Sequence, residues 1–157
     1  MISAKLVVTL LTAIAGYTGY AIPGEPPRIT TLSHAELEQR VCGRPCQVFG
    51  FTWPDGEITI DEALAIGSDP AATSILVHEL THFLQMKSVA HPQPVTCQIW
   101  RDREREAFGV QAQWLRDHSG SVQTFSVAMR RLNLGVPVHT LCLDRSNIAL
   151  PESWSKG

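Results

Sequence analysis

The run Ser74-Ile75-Leu76-Val77-His78-Glu79-Leu80-Thr81-His82-Phe83-Leu84-Gln85 sets three ionisable groups inside an otherwise apolar stretch. No other feature limits the possible folds of this chain as strongly. Asp69 and Pro70 open a helix, the first as N-cap and the second at the first helical position. The helix runs to about Lys87, and Ile75, Leu76, Val77, Leu80, Phe83, Leu84 and Met86 make it apolar nearly all round. Such a helix belongs in the centre of a core. Residues four apart share a helix face, so His78 and His82 point the same way. Two imidazoles and a carboxylate are costly to bury unless they are hydrogen-bonded, paired or bound to metal. Two imidazoles so placed can hold one Zn²⁺, with Glu79 in reach of a water on the ion.

The 157 residues have room for one domain, expected over residues 31–157. A net charge of −2 argues against nucleic acid or an anionic membrane surface as the main partner. The N-terminus has a short cationic start at Lys5 and an apolar run from Leu6 to about Ala15. That pattern reads as a secretory signal over residues 1–21, with cleavage after Ala15 or Ala21; the alternative is an uncleaved membrane anchor. Pro23, Pro26 and Pro27 mark residues 22–30 as a linker. Beyond it stand four cysteines, Cys42, Cys46, Cys97 and Cys142. An even count in an exported chain favours disulfides. Of the three possible pairings, Cys42–Cys46 with Cys97–Cys142 is favoured. The rival use of Cys42 and Cys46 as metal ligands lacks a second nearby Cys or His pair.

A first helix is expected over Thr31–Val41, with Ser33 and Glu36 as a capping box and His34 exposed at its start. Cys46–Trp53 and Glu57–Asp61 flank a Pro54-Asp55-Gly56 turn, which signals a β-hairpin. Alternation in the second strand puts Ile58 and Ile60 on a buried face and Glu57, Thr59 and Asp61 on a wetter one. Asp61 and Glu62 read as a solvated strand end. A second long helix is expected from about Gln98 to Asp117, with Trp100, Glu104, Ala107, Phe108, Gln111, Trp114 and Leu115 on one stripe. Glu104 thus falls on the apolar face, whereas Glu106 points away from it. A further helix follows from Val122 to about Asn133, then an irregular tail.

A catalytic zinc takes three protein ligands and keeps one open position. The metzincin pattern is excluded because Gln85 and Ser88 stand where it requires Gly and His. An inward carboxylate on a downstream helix is the other common solution, and Glu104 fits it, with Glu106 as its rival. His78-Glu79-Leu80-Thr81-His82 followed by Glu104-Arg105-Glu106-Ala107 resembles the gluzincin zinc metallopeptidases. The chain is also similar to small exported bacterial proteins of unknown function that combine a CxxxC hairpin region, an HELxHxLQ helix and an EREAY helix. The likeness covers roughly Val41 to Leu115. It implies His78, His82 and Glu104 as ligands and Glu79 as general base. Phe108 departs from the pattern, standing where some gluzincins carry an Asp, so support of a ligand falls to Gln111 or another group.

The fold expected is therefore α+β, a minimal zincin-like domain. A β-hairpin or small antiparallel sheet packs on the central HExxH helix and on a second, glutamate-bearing helix. The function expected is zinc-dependent hydrolysis of a peptide or protein substrate by an exported monomer, periplasmic or secreted. An extended substrate could pair with the Glu57–Asp61 strand. His139 and His118 are the candidates for oxyanion support, since the tyrosines, Tyr17 and Tyr20, lie in the N-terminal segment. The alternatives are a zinc-binding interaction module without catalysis, and a disulfide-stabilised domain without metal.

Overall fold

The computed structural model describes residues 2–88 and 96–120. They form four helices and a three-stranded sheet: α1 (Ala4–Thr18), β1 (Ile29–Leu32), α2 (His34–Cys42), β2 (Gly50–Thr52), β3 (Ile58–Asp61), α3 (Pro70–Lys87) and α4 (Cys97–His118). The core is built on α3. Leu76, Val77 and Leu80 are fully buried, and Phe83 and Leu84 nearly so. Polar side chains within this helix satisfy themselves locally. Thr73, Ser74 and Thr81 each donate a hydroxyl hydrogen to a carbonyl three or four residues back, at 2.7–2.8 Å. The helix starts as its sequence dictates: Asp69 accepts from the Ala71 amide at 2.9 Å, and Pro70 occupies the first turn.

The sheet is mixed, in the order β1-β3-β2, and not the antiparallel hairpin sheet expected from sequence. The β2–β3 hairpin forms as anticipated, turning where the Gly56 amide donates to the Trp53 carbonyl at 2.8 Å. The additional strand is β1, parallel to β3 with Ile29 opposite Ile58 and Leu32 opposite Asp61. It takes up the end of the expected linker and the start of the expected first helix. The capping box of Ser33 and Glu36 is present, so α2 begins only at His34. A parallel pair needs a crossover connection, and α2 supplies part of it.

Placing β3 in the centre explains a second difference. All four of its residues are buried, the expected wetter face included. Thr59 accepts from Trp53 Nε1 at 2.9 Å and meets Thr30 Oγ1 at 3.3 Å. Asp61 is not a solvated end: it is 4% exposed, accepts from His34 Nδ1 at 2.7 Å and caps the Ala63 amide at 2.9 Å. His34 is exposed at the start of α2, as expected, but it is tied to this carboxylate.

The apolar N-terminal stretch is helical and packs on the core. Val7, Leu10, Leu11 and Ile14 of α1 are buried in the same cluster as Leu76, Leu80 and Trp114. The N-terminal segment is tied to α4 at two points, Tyr17 Oη to Asp117 Oδ2 at 2.6 Å and, just past α1, Tyr20 Oη to Glu106 Oε2 at 2.7 Å. No helix among the described residues is long and apolar enough to cross a membrane. Because both α3 and α1 pack on α4, the buried arc of α4 is wider than the single stripe expected. Arg103 and Val110 are buried, while Trp100 and Phe108 are only partly covered. Cys42 and Cys46 form the expected disulfide at the end of α2. The expected Cys97–Cys142 bridge and the Val122–Asn133 helix fall outside the described residues.

Candidate metal centre

Helices α3 and α4 lie side by side with the two histidines facing Glu104. His78 Nε2 and His82 Nε2 stand 3.0 Å apart. Glu104 Oε2 is 3.4 Å from the first and Glu104 Oε1 is 3.2 Å from the second. Ligand atoms about 2.0–2.2 Å from a tetrahedral ion are separated by about 3.3–3.6 Å, so these spacings suit one small cation with little rearrangement. His78, His82 and Glu104 are the cluster of His, Cys, Asp and Glu residues among the described ones able to hold a metal. Nitrogen and carboxylate donors in a three-ligand set with one open side are those of catalytic zinc sites. Between the expected rivals, Glu104 is the carboxylate at the histidines. Glu106 lies round the helix, where it accepts from Tyr20 and Gln85.

The electrostatics are those of a buried, coupled histidine–carboxylate cluster. Burial disfavours the His82 imidazolium, but the Glu104 carboxylate, helped by Glu79 and Gln85, outweighs it and holds the group up to about 9. Burial pushes Glu104 up, yet His82 and His78 more than offset this and hold the carboxyl well below the usual range. The metal-free cluster therefore keeps a proton where its ligand atoms converge.

The two histidines are held differently. Gln85 Oε1 lies 2.8 Å from His82 Nδ1. The Gln85 amide cannot be read the other way round, because its Nε2 faces two acceptors, the Arg103 carbonyl at 3.0 Å and Glu106 Oε2 at 2.7 Å. His82 Nδ1–H thus points to Gln85 in either charge state, and Nε2 is the nitrogen that would give up its proton for a ligand role. His78 has no such partner: its Nδ1 is buried without a hydrogen bond, and its ring packs against Phe108 at a centroid distance of 4.5 Å. Gln111, expected as a supporting group, donates instead to Ser74 Oγ at 3.0 Å, on the helix turn before His78.

Glu79 is fixed from the sheet. Thr52 Oγ1 lies 2.9 Å from the Glu79 carbonyl and 2.8 Å from Glu79 Oε2, sharing its one hydrogen between them. Strand β2 comes close enough for this because residue 50 is glycine: a Cβ there would sit 2.9 Å from Glu79 Cγ and from Ile60 Cδ1. Glu79, His78, His82 and Glu104 all border a cleft of about 640 Å³ that residues of β2 and of the Cys42–Cys46 turn also line. Arg103 also borders it, buried, with Nε and Nη2 unpartnered, and desolvation lowers its pKa.

Of the two oxyanion candidates, the one among the described residues, His118, does not join this site. His118 is in the last turn of α4, stacked on Trp114 and bonded to its carbonyl at 2.8 Å. That is about 21 Å along the helix from Glu104, at ~1.5 Å per residue. His139 falls outside the described residues. Two supporting residues were not anticipated. Gln85 left a signal, an inward amide one turn after a candidate ligand in a core helix. Thr52 left none, because its proximity to Glu79 arises only from strand packing. No family model, curated protein or solved structure matches the chain.

Proposed function

We propose that the protein is an exported zinc-dependent metallopeptidase of gluzincin type, with His78, His82 and Glu104 as ligands and Glu79 as general base. The observation that carries this reading is the convergence of the three ligand atoms beside the anchored Glu79 carboxylate at one open cleft. When bound, zinc supplies the Lewis acidity that lowers the pKa of a water and polarises the scissile carbonyl. Glu79 takes the proton of the attacking water and delivers it to the departing amine nitrogen as the C–N bond breaks. Thr52 occupies Oε2, which leaves Oε1 as the oxygen for this transfer. Among the described strands β2 stands at the sheet edge and borders the cleft, whereas β3 is the central strand and has no free edge for a substrate. An extended peptide would therefore lie along β2. The disulfide accords with an oxidising compartment.

A second reading, a zinc-binding interaction module without turnover, draws support from the distance of His118 to the centre. Glu79→Gln decides between them. In the peptidase reading the variant keeps stoichiometric zinc and loses at least ~100-fold in peptide hydrolysis, the scale of a lost general base. Glu104→Ala loses the zinc itself. Zinc without any hydrolysis in the native chain leaves the module reading; a protein without zinc removes both.

A further inference from the structure

The hydrogen bonds that orient His82 continue beyond Gln85, out to the N-terminal segment. Gln85 keeps its carbonyl toward His82 only while two acceptors face its Nε2. One, the Arg103 carbonyl, belongs to the α4 backbone and is fixed. The other, Glu106 Oε2, sits on a side chain with three rotatable bonds, and Tyr20 Oη donates to that same oxygen at 2.7 Å. Tyr20 is itself held in place. Gly19 ends α1 in the left-handed region (φ 76°), which turns the chain back over α4, and the Tyr20 amide donates to Thr18 Oγ1 at 3.2 Å. We propose that in the chain that retains its N-terminal segment Tyr20 is a positioning residue of the metal centre, acting through Glu106 and Gln85 on His82, so that this segment belongs to the metal-binding unit of the uncleaved form.

Each link transmits a direction. Tyr20 donates to Glu106 and Gln85 donates to Glu106. His82 Nδ1–H then donates to Gln85, which leaves Nε2 to the metal. Burial and the Glu106 carboxylate both push the Tyr20 phenol well above its ordinary value, so it remains a donor at any pH at which the protein would work. Without the phenol hydrogen, Glu106 loses one of its two restraints, and the Gln85 amide loses a fixed acceptor. The inference rests on the metal reading of His78, His82 and Glu104, and not on peptidase activity.

Its test is zinc affinity of the full chain by competition with a chromogenic chelator. Tyr20→Phe is compared with Tyr17→Phe, which removes the other tyrosine–carboxylate bond between α1 and α4 and serves as the control for stability alone. Outer partners of a metal-bound histidine are worth about 10–100-fold in affinity, and Tyr20, one link further out, is expected near ~10-fold. Tyr17→Phe is expected to lower the Tm comparably and leave zinc affinity unchanged. In a Gln85→Leu background the Tyr20→Phe loss should vanish, since the link it acts through is gone. Equal zinc affinity in the two tyrosine variants, or a Tyr20→Phe loss that persists without Gln85, overturns the proposal while the metal reading stands. A native chain that binds no zinc overturns both.

Discussion

His78 and His82 are one helical turn apart on the same face of α3, and the protein treats them in opposite ways. His82 is at the inner end of a hydrogen-bonded series through Gln85 and Glu106 that reaches Tyr20, just past the end of α1. His78 meets an aromatic ring, and its second nitrogen is buried without a partner. A metal-bound histidine usually donates its other ring N–H to an acceptor that fixes tautomer and orientation. Here His82 has that support and His78 relies on packing. The first histidine is oriented by hydrogen bonds, while the second is held by shape.

The sharpest way to break this comparison is to remove the two glutamines in turn. Gln85→Leu should weaken zinc binding by about 10–100-fold, the effect of losing an acceptor behind a ligand. Gln111→Leu, which loses only its bond to Ser74, should stay within about 3-fold of the native chain, far below that range. Chelator competition measures both, and similar losses in the two variants would mean that His78 has support beyond its contact with Phe108.

A pH series sharpens the His82 side further. Its folded value is raised above the ordinary ~6.5, so this group's stabilisation of the metal-free fold is complete below that and is lost as pH rises through about 9. Metal has to displace the same proton. Apparent zinc affinity should therefore climb by about tenfold per pH unit between these values and then level off. A flat affinity profile from pH 6.5 to 9 would show that no proton is held between the ligands.

The smallest effect expected is a gain. Phe108→Asp would offer His78 Nδ1 an acceptor at the position where its ring now meets the aromatic face. Zinc affinity should rise, by less than ~10-fold because the new carboxylate is partly exposed and its burial costs part of the gain. The same titration reads it, and a weaker site in a variant of unchanged Tm would show that the aromatic packing is the better support.

Much of the α3 side was legible in the chain. An Asp-Pro start, an apolar surface on every side and a His-Glu-x-x-His spacing are local facts, and the helix, its burial and the shared direction of the histidines follow from them. The inward Glu104 was legible for the same reason, as a carboxylate on a helical stripe. The sheet was harder. Alternation in Glu57–Asp61 signalled one buried face, yet α2 and β1 cover the remainder of β3, and nothing within the strand reports what will lie over it. The apolar run at the N-terminus has the composition of a targeting segment, and only the packing of Val7, Leu10, Leu11 and Ile14 reveals the surface it covers.

By itself the sequence determined which residues have to be reconciled with a core: two histidines, a neighbouring glutamate and one more carboxylate downstream. Helical periodicity is a property of neighbours in the chain, so it can be read without the fold. The tertiary structure decided which nitrogen of each histidine is exposed to the centre, that Glu104 and not Glu106 completes the set, and that Thr52 anchors Glu79. It also joined Tyr20 to a site more than fifty residues away. Those are relations between elements brought together by burial, and a hydrogen bond across such an interface leaves no periodic trace in either partner.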